Sequence, residues 1–250
     1  VNSFRYKTRL MKGECKMASI YLKENEYIRN LSNSPYRRIT LKVPCENKRN
    51  LKNIFQVEPQ YINQALTASH AFQGAIDSNL HFNYERAYQI GVNMPGRDYD
   101  PSMWGINQPV IQETLQVSTM INQLKSSLNR FLYFIDISNE LFWNEVESAI
   151  VNTFTNLYTQ QNSAWIFYHS STSTSTSYYY NIMFALQDSN YRTMTVIPIA
   201  FDITVRLEKQ KVLFITLKDR AEYRVTLKSI WVRLILQKTH GKQLVDCFNF

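Results

Sequence analysis

Past Leu157 the apolar residues of this chain cease to recur every three or four positions and start to alternate, so the hydrophobic period falls from about 3.6 to 2. A chain with helical periodicity first and strand periodicity later has few ways to bury both. Short turns between the later strands point to an α+β fold with an antiparallel sheet. On the helical side Pro59 suits a first turn, and Ile62, Ala65, Leu66, Ser69, Phe72 and Ile76 predict an amphipathic helix over Pro59–Ile76. Tyr84–Val92 reads as a second helical piece. The stretch NMPGRDYDPSMWGINQP, Asn93–Pro109, reads as the longest irregular segment, and Pro109 opens a long apolar pattern that reads as helical, Val110 to Ile135. Ser138 is the expected cap of a further helix carrying Trp143, Val146, Ile150, Phe154 and Leu157. Near the start, RITLKV alternates Ile39, Leu41 and Val43 as a half-buried strand stopped by Pro44, with a short polar helix expected near Asn50–Phe55.

Beyond Leu157 everything reads as strand. Tyr178, Tyr180, Ile182, Phe184 and Leu186 alternate with Tyr179, Asn181, Met183, Ala185 and Gln187. Ile197, Ile199, Phe201, Ile203, Val205 and Leu207 alternate with Pro198, Ala200, Asp202, Thr204 and Arg206. Glu208–Lys211 reads as a turn into a strand at Leu213–Leu217, and Tyr223, Val225 and Leu227 form the last alternating run.

A second feature limits what this half can touch. From Ser148 to Gln187 there are 40 residues without a single Asp, Glu, Lys or Arg, although 19% of the chain is charged. Scattered charge would leave a given window this clean roughly twice in ten thousand. Two pressures exclude charge: burial on both faces of a sheet, where an unpaired charge costs several kcal/mol, and transfer into a bilayer, at roughly 2 to 4 kcal/mol per Lys or Arg facing lipid. Inside the window the hydroxyl run Ser170–Ser177, broken by no charge, is flanked by Trp165, Phe167 and Tyr168 and by Tyr178, Tyr179 and Tyr180. Amphipathic rings of this kind favour lipid interfaces, and uncharged hydroxyls cross an apolar layer at lower cost than Lys or Asp. The candidate lipid-contacting residues are therefore Trp165, Phe167, Tyr168, Tyr178, Tyr180, Ile182, Phe184, Leu186, Ile199, Phe201, Ile203 and Val205.

The formal charge of +8 is not spread evenly. Residues 1–52 carry 13 Lys or Arg against 4 Asp or Glu, residues 53–227 carry 11 against 15, and residues 228–250 carry 4 against 1. Basic arms thus flank an acidic body, which argues against a basic nucleic-acid-binding protein whose arm contacts phosphates. Cys15, Cys45 and Cys247 fit neither a disulfide scaffold nor a metal spacing. His70, His81, His169 and His240 show no metal-pair spacing, and the six glycines are dispersed, so no phosphate loop or GxSxG elbow is present. No catalytic residue, metal or cofactor is expected, and a lipid-modifying hydrolase is disfavoured for want of a nucleophile motif. Lysines interrupt the first thirty residues, so no signal peptide is read there, and no run of about eighteen apolar residues exists.

Three blocks carry a likeness to a known family: VNTFTNLYTQQNSAWIFYHS (Val151–Ser170), QYINQALTASHAFQGAID (Gln60–Asp77) and EKQKVLFITLKD (Glu208–Asp219). Together, from about Tyr36 to Leu227, the chain resembles the cytolytic delta-endotoxins, the Cyt toxins of spore-forming insect-pathogenic bacilli, and more specifically the second Cyt subgroup. The resemblance implies a single three-layer α/β domain, a mainly antiparallel sheet wrapped by helical hairpins. It implies a protoxin laid down in a parasporal crystal, dissolved in the insect gut and trimmed at both ends. Such a toxin binds unsaturated zwitterionic phospholipid without a protein receptor, then oligomerises or disrupts the bilayer like a detergent. Protoxin homodimers and Cry toxins are the implied protein partners; nucleic acid is not. On this chain the tails become residues 1–35 and 239–250 around a toxin domain 36–238, with Arg29, Arg37, Arg38 and Lys238 as cleavage edges. Departures from the family pattern are Tyr168, where relatives often have Trp, an aromatic loop at Tyr99–Trp104, and the rings Phe131, Tyr133 and Phe134.

Overall fold

A computed structural model describes residues 38–41, 51–98, 103–136, 138–163, 165–188 and 190–237. Strand β1 (Arg38–Leu41) pairs antiparallel with β2 (Lys52–Gln56), which lies parallel to β5 (Thr176–Asp188). From β5 the sheet continues antiparallel through β6 (Thr193–Val205), β7 (Arg220–Ile235) and β3 (Met103–Gln116). Strand β4 (Ile166–Ser171) shares with β2 the same edge of β5, pairing with Thr176–Tyr180 while β2 pairs with Ile182–Leu186. The sheet is thus mixed but mainly antiparallel, as alternation in the second half implies.

Two helical layers cover it. Helices α1 (Ile62–Gln73) and α2 (Tyr84–Val92) pack on one face. Helices α3 (Val117–Phe131) and α4 (Glu140–Phe154), with the short α5 (Leu157–Gln160), pack on the other. Because side chains alternate along each strand, one strand feeds two separate cores. Tyr178, Tyr180, Ile182 and Phe184 join the α3/α4 core, while Met183 and Ala185 join the α1/α2 core. On the α1/α2 face Gly105 is required by close approach: a Cβ there would lie 2.2 Å from the Tyr84 hydroxyl on α2.

Several local expectations are corrected. The polar helix expected near Asn50–Phe55 is strand β2. Ile54 and Phe55 are both buried, one in each core, so pairing on two sides overrides local propensity. The irregular stretch ends early and the pattern opened by Pro109 is not helical at first: both belong to β3, a long edge strand in which Pro109 lies beside a register shift. An edge strand tolerates a residue without an N–H, and a bulge absorbs the irregularity. The helix starts only at Val117, whose N–H, with that of Ser118, donates to the Asp219 and Leu217 carbonyls at 3.0 and 3.1 Å.

The cap of α4 is Asn139, accepting from Phe142 N at 3.1 Å; Ser138 instead donates its N–H to Asp136 at 2.8 Å. The strand run after Leu157 is interrupted by α5. Glu208–Leu217 holds helix α6 (Lys209–Leu213) and turns in place of a strand, the apolar pattern there being too short for its period to decide.

Candidate functional site

The residues singled out for lipid contact converge on the face beneath α3 and α4. Eight of them, Tyr178, Tyr180, Ile182, Phe184, Ile199, Phe201, Ile203 and Val205, are buried in one cluster with Trp165, and Tyr168 and Leu186 pack at its margin. Phe167 does not join them: paired with Tyr179 across β4 and β5, it is buried on the opposite face. The helical cover meets this face through aliphatic side chains of α3 and α4 and through rings. Phe142 of α4 lies edge-on to Phe184 at 5.7 Å, and Phe154 lies edge-on to Phe201 and Tyr223 at 6.4 and 6.1 Å. Two hydrogen bonds cross the layers, from the Tyr178 hydroxyl to the Thr153 carbonyl at 3.0 Å and from the Tyr180 hydroxyl to Gln160 at 2.7 Å.

The electrostatics of this face are those of an apolar medium. Along β5 from Tyr178 to Leu186, β6 from Ile197 to Val205 and β7 from Ala221 to Trp231, the positions facing α3 and α4 hold no Asp, Glu, Lys or Arg. Lys52 stands at the margin and donates to the Tyr180 hydroxyl at 3.2 Å. Desolvation pushes the phenol of Tyr168 up to about 12, and raises those of Tyr178, Tyr180 and Tyr223 further. At the upper end, between the α3–α4 connection and the β5–β6 turn, a cavity of about 780 Å³ touches Leu186, Phe134 and Arg233.

The other face is built differently. Lys228 on β7 is only 6% exposed and donates to Asp202 of β6 at 2.6 Å and to the Phe82 carbonyl at 3.4 Å. Its ammonium also meets Nε2 of His81, whose Nδ1 lies 3.6 Å from Asp77. With the ring proton on Nδ1, Nε2 accepts from Lys228, and the group ties the α1–α2 connection to two strands. His169 stacks on Tyr179 at 4.4 Å, and its basicity is lowered by desolvation. Among the described residues no group of three or more His, Cys, Asp or Glu is arranged to hold a metal ion, and no helix is long and apolar enough to cross a membrane.

Comparison with known proteins names this architecture. Residues 30–250 match the family described as Bacillus thuringiensis toxin. Over 217 residues the chain is 45% identical to the Type-2Aa cytolytic delta-endotoxin of Bacillus thuringiensis subsp. kyushuensis, covering 86% of this chain and 82% of that relative. The chain belongs to the cytolytic delta-endotoxins. Similarity extends to the Type-2Ba toxin of subsp. israelensis, 44% identical over 86% of this chain and 81% of that relative, and to the Type-1Aa toxin of subsp. morrisoni at 35%, covering 79% of this chain and 82% of that relative. Among solved structures, activated Cyt2Ba monomer from subsp. israelensis aligns with a TM-score of 0.70 at 45% identity, covering 75% of this chain and 99% of that one. A structure called delta-endotoxin aligns at 0.74 and 44% identity, covering 84% of this chain and 91% of that one.

Within this toxin fold the charge-free window marks β4 and β5 but does not choose a face. The choice comes from β6 and β7, where Asp202, Arg224 and Lys228 occupy one phase of the alternation and the other is free of charge up to Arg233, near the upper end of β7. That signal was present in the sequence. The Lys228, Asp202 and His81 group was not legible, because its members are 26 and 147 residues from Lys228 in sequence. Of the expected cleavage edges, Arg38 begins β1, and Arg29, Arg37 and Lys238 lie outside the described residues, as do Cys15, Cys45 and Cys247.

Proposed function

We propose that this chain is a protoxin which, once trimmed near Arg29, Arg37 or Arg38 and near Lys238, binds phospholipid directly, oligomerises and permeabilises the bilayer without an enzymatic step. The carrying observation is the uncharged sheet face roofed by α3 and α4. Leaving water for hydrocarbon costs that face little, because its inward side chains from Tyr178 to Leu186, Ile197 to Val205 and Ala221 to Trp231 include no ionisable Asp, Glu, Lys or Arg to dehydrate. The roof is held mostly by aliphatic and ring contacts, which lipid tails can replace. Each of β5 and β6 is 13 residues long, enough for a tilted membrane strand of about 9 to 11 residues.

In this reading residues 1–35 and 239–250 are the removable tails of a domain spanning 36–238, and their removal takes away positive charge. Half of the formal +8 goes with the tails, which leaves the 36–238 domain at +4 and makes its binding to zwitterionic lipid less dependent on anionic headgroups. Deposition in a parasporal crystal, release in the insect gut, homodimerisation of the protoxin and cooperation with Cry toxins follow from family membership as parts of the same proposal. Dye release from phosphatidylcholine vesicles tests the reading. Trypsin-treated protein should empty them without calcium and without lysolipid product. Intact vesicles, or stoichiometric release of fatty acid, would overturn it.

A further inference from the structure

The two ends of the sheet differ in what they show to solvent, and the difference points to one of them as the surface that meets lipid first. At the lower end lies the tip of the β4–β5 hairpin, four exposed or half-exposed hydroxyl residues from Thr172 to Ser175, held by the Thr172 N–H on the Ser175 carbonyl at 2.8 Å. Beside it sits α6: the Ser175 hydroxyl reaches the Val205 carbonyl at 3.4 Å, that of Thr176 the Leu207 carbonyl at 2.9 Å, and the Lys209 ammonium lies over the Tyr168 ring at 4.4 Å. Next in line Tyr158 of α5 and Phe214 stack at 4.8 Å although they are 53% and 61% exposed, with Leu217 44% exposed in the following turn. Large exposed rings beside one another on a water-soluble surface mark an interaction site.

Charge identifies the occupant. The segment 206–224 carries six Lys or Arg against three Asp or Glu within a body that is acidic as a whole. Two of the three carboxylates are engaged, Glu208 with Lys211 at 3.1 Å and Glu222 with Arg206 at 3.2 Å, and Asp219 accepts from the Thr216 N–H and hydroxyl at 2.6 and 2.9 Å. Lys209 and Lys218 have no carboxylate within ion-pair distance among the described residues. Exposed rings set among uncompensated cations match the headgroup layer of a bilayer, phosphates outside and acyl chains beneath. At the upper end Tyr133, Leu141 and Tyr191 are more exposed still, but the turns 132–141 and 188–192 carry three carboxylates against one cation, the wrong sign for phosphate headgroups.

We propose that the lower end, comprising Tyr158, Phe214, Leu217, Lys209, Lys218 and the hydroxyl tip, is the docking surface for a phospholipid bilayer. This rests on the membrane reading above and adds to it the orientation of approach. Docked this way, the uncharged hairpin tip is the first part of β4 and β5 to reach the acyl region.

The test is flotation of the full chain, with and without trypsin treatment, on vesicles of phosphatidylcholine alone and with phosphatidylglycerol added. F214S with L217S should weaken binding at least about tenfold on both vesicle types. K209Q with K218Q should weaken it more on the mixed vesicles. Y133S with L141S, at the opposite end, should stay within about twofold of the parent. All six side chains are exposed or half-exposed, so melting curves should remain unchanged. Undiminished binding by the Phe214 and Leu217 variant, or equal loss in the Tyr133 and Leu141 pair, overturns the assignment. If the parent itself neither binds nor empties vesicles, the broader membrane reading falls instead.

Discussion

The two faces of the sheet are both dry, yet they are held shut by different means. Beneath α1 and α2 a lysine, a carboxylate and an imidazole are locked together, with Asn53 accepting from the Ser69 hydroxyl nearby. Opening that face would strand charges that are satisfied only by one another. Beneath α3 and α4 the contacts are aromatic and aliphatic, with two tyrosine hydroxyls as the polar ties. Opening this face uncovers mainly apolar side chains, the buried carboxyl group on its helical cover being Glu145 of α4, 6% exposed. The contrast teaches that absence of charge in one strand is permissive, whereas its absence from one phase along the central stretch of three adjacent strands selects a direction.

Reversible cross-links would break the comparison most visibly. With the three native cysteines replaced by serine, a thiol link holding α4 on β5 should lower vesicle leakage by at least about a hundredfold and release it on reduction. A link holding α1 on β2 should leave leakage within a few-fold. The reverse pattern would exchange the roles of the two faces.

Next in size is the buried ion group. Asp202→Asn leaves Lys228 without its carboxylate and should cost about 3 to 5 kcal/mol in denaturant unfolding. Joint replacement of Asp202 by Leu and Lys228 by Met should restore most of that. A loss below 1 kcal/mol for Asp202→Asn would mean that the group does not clamp the α1–α2 connection.

Alkali should act on the other face. The phenols of Tyr178 and Tyr180 are raised chiefly by desolvation, so the folded chain holds protons that the unfolded chain releases near pH 10. Their contribution is complete below that pH and is lost as pH rises toward the folded values, at up to about 1.4 kcal/mol per pH unit for each ring. Tyr178→Phe with Tyr180→Phe should flatten that decline, and an unchanged slope would show that these rings are not what titrates. The smallest expected effect is at the α4 cap, where Asn139→Ala should cost about 1 kcal/mol without changing the leakage of the folded fraction.

Much of this was legible in the chain. Alternation placed Tyr178 to Leu186 and Ile199 to Val205 on a common phase, and they do share a face. Helices α1, α2 and α4 followed from apolar spacing. What sequence period misses is context. Strand β3 reads as loop and helix because its outward residues are polar and its partner, β7, lies more than a hundred positions away at their closest approach in sequence. Phe167 was grouped with Trp165 and Tyr168 by proximity, but successive strand residues point to opposite faces, and pairing with Tyr179 turns it away. The α1–α2 ion group needed three segments brought together before any motif existed.

One measurement bears on the central claim more directly than the rest: quenching of environment-sensitive probes by brominated acyl chains while vesicles are being lysed, with probes placed in turn at 182 and 199 and at 183 and 200. The account predicts strong quenching at Ile182 and Ile199, which lie under α3 and α4, and weak quenching at Met183 and Ala200, which lie under α1 and α2. Equal quenching on both faces, or none at Ile182 and Ile199 during full leakage, would contradict it.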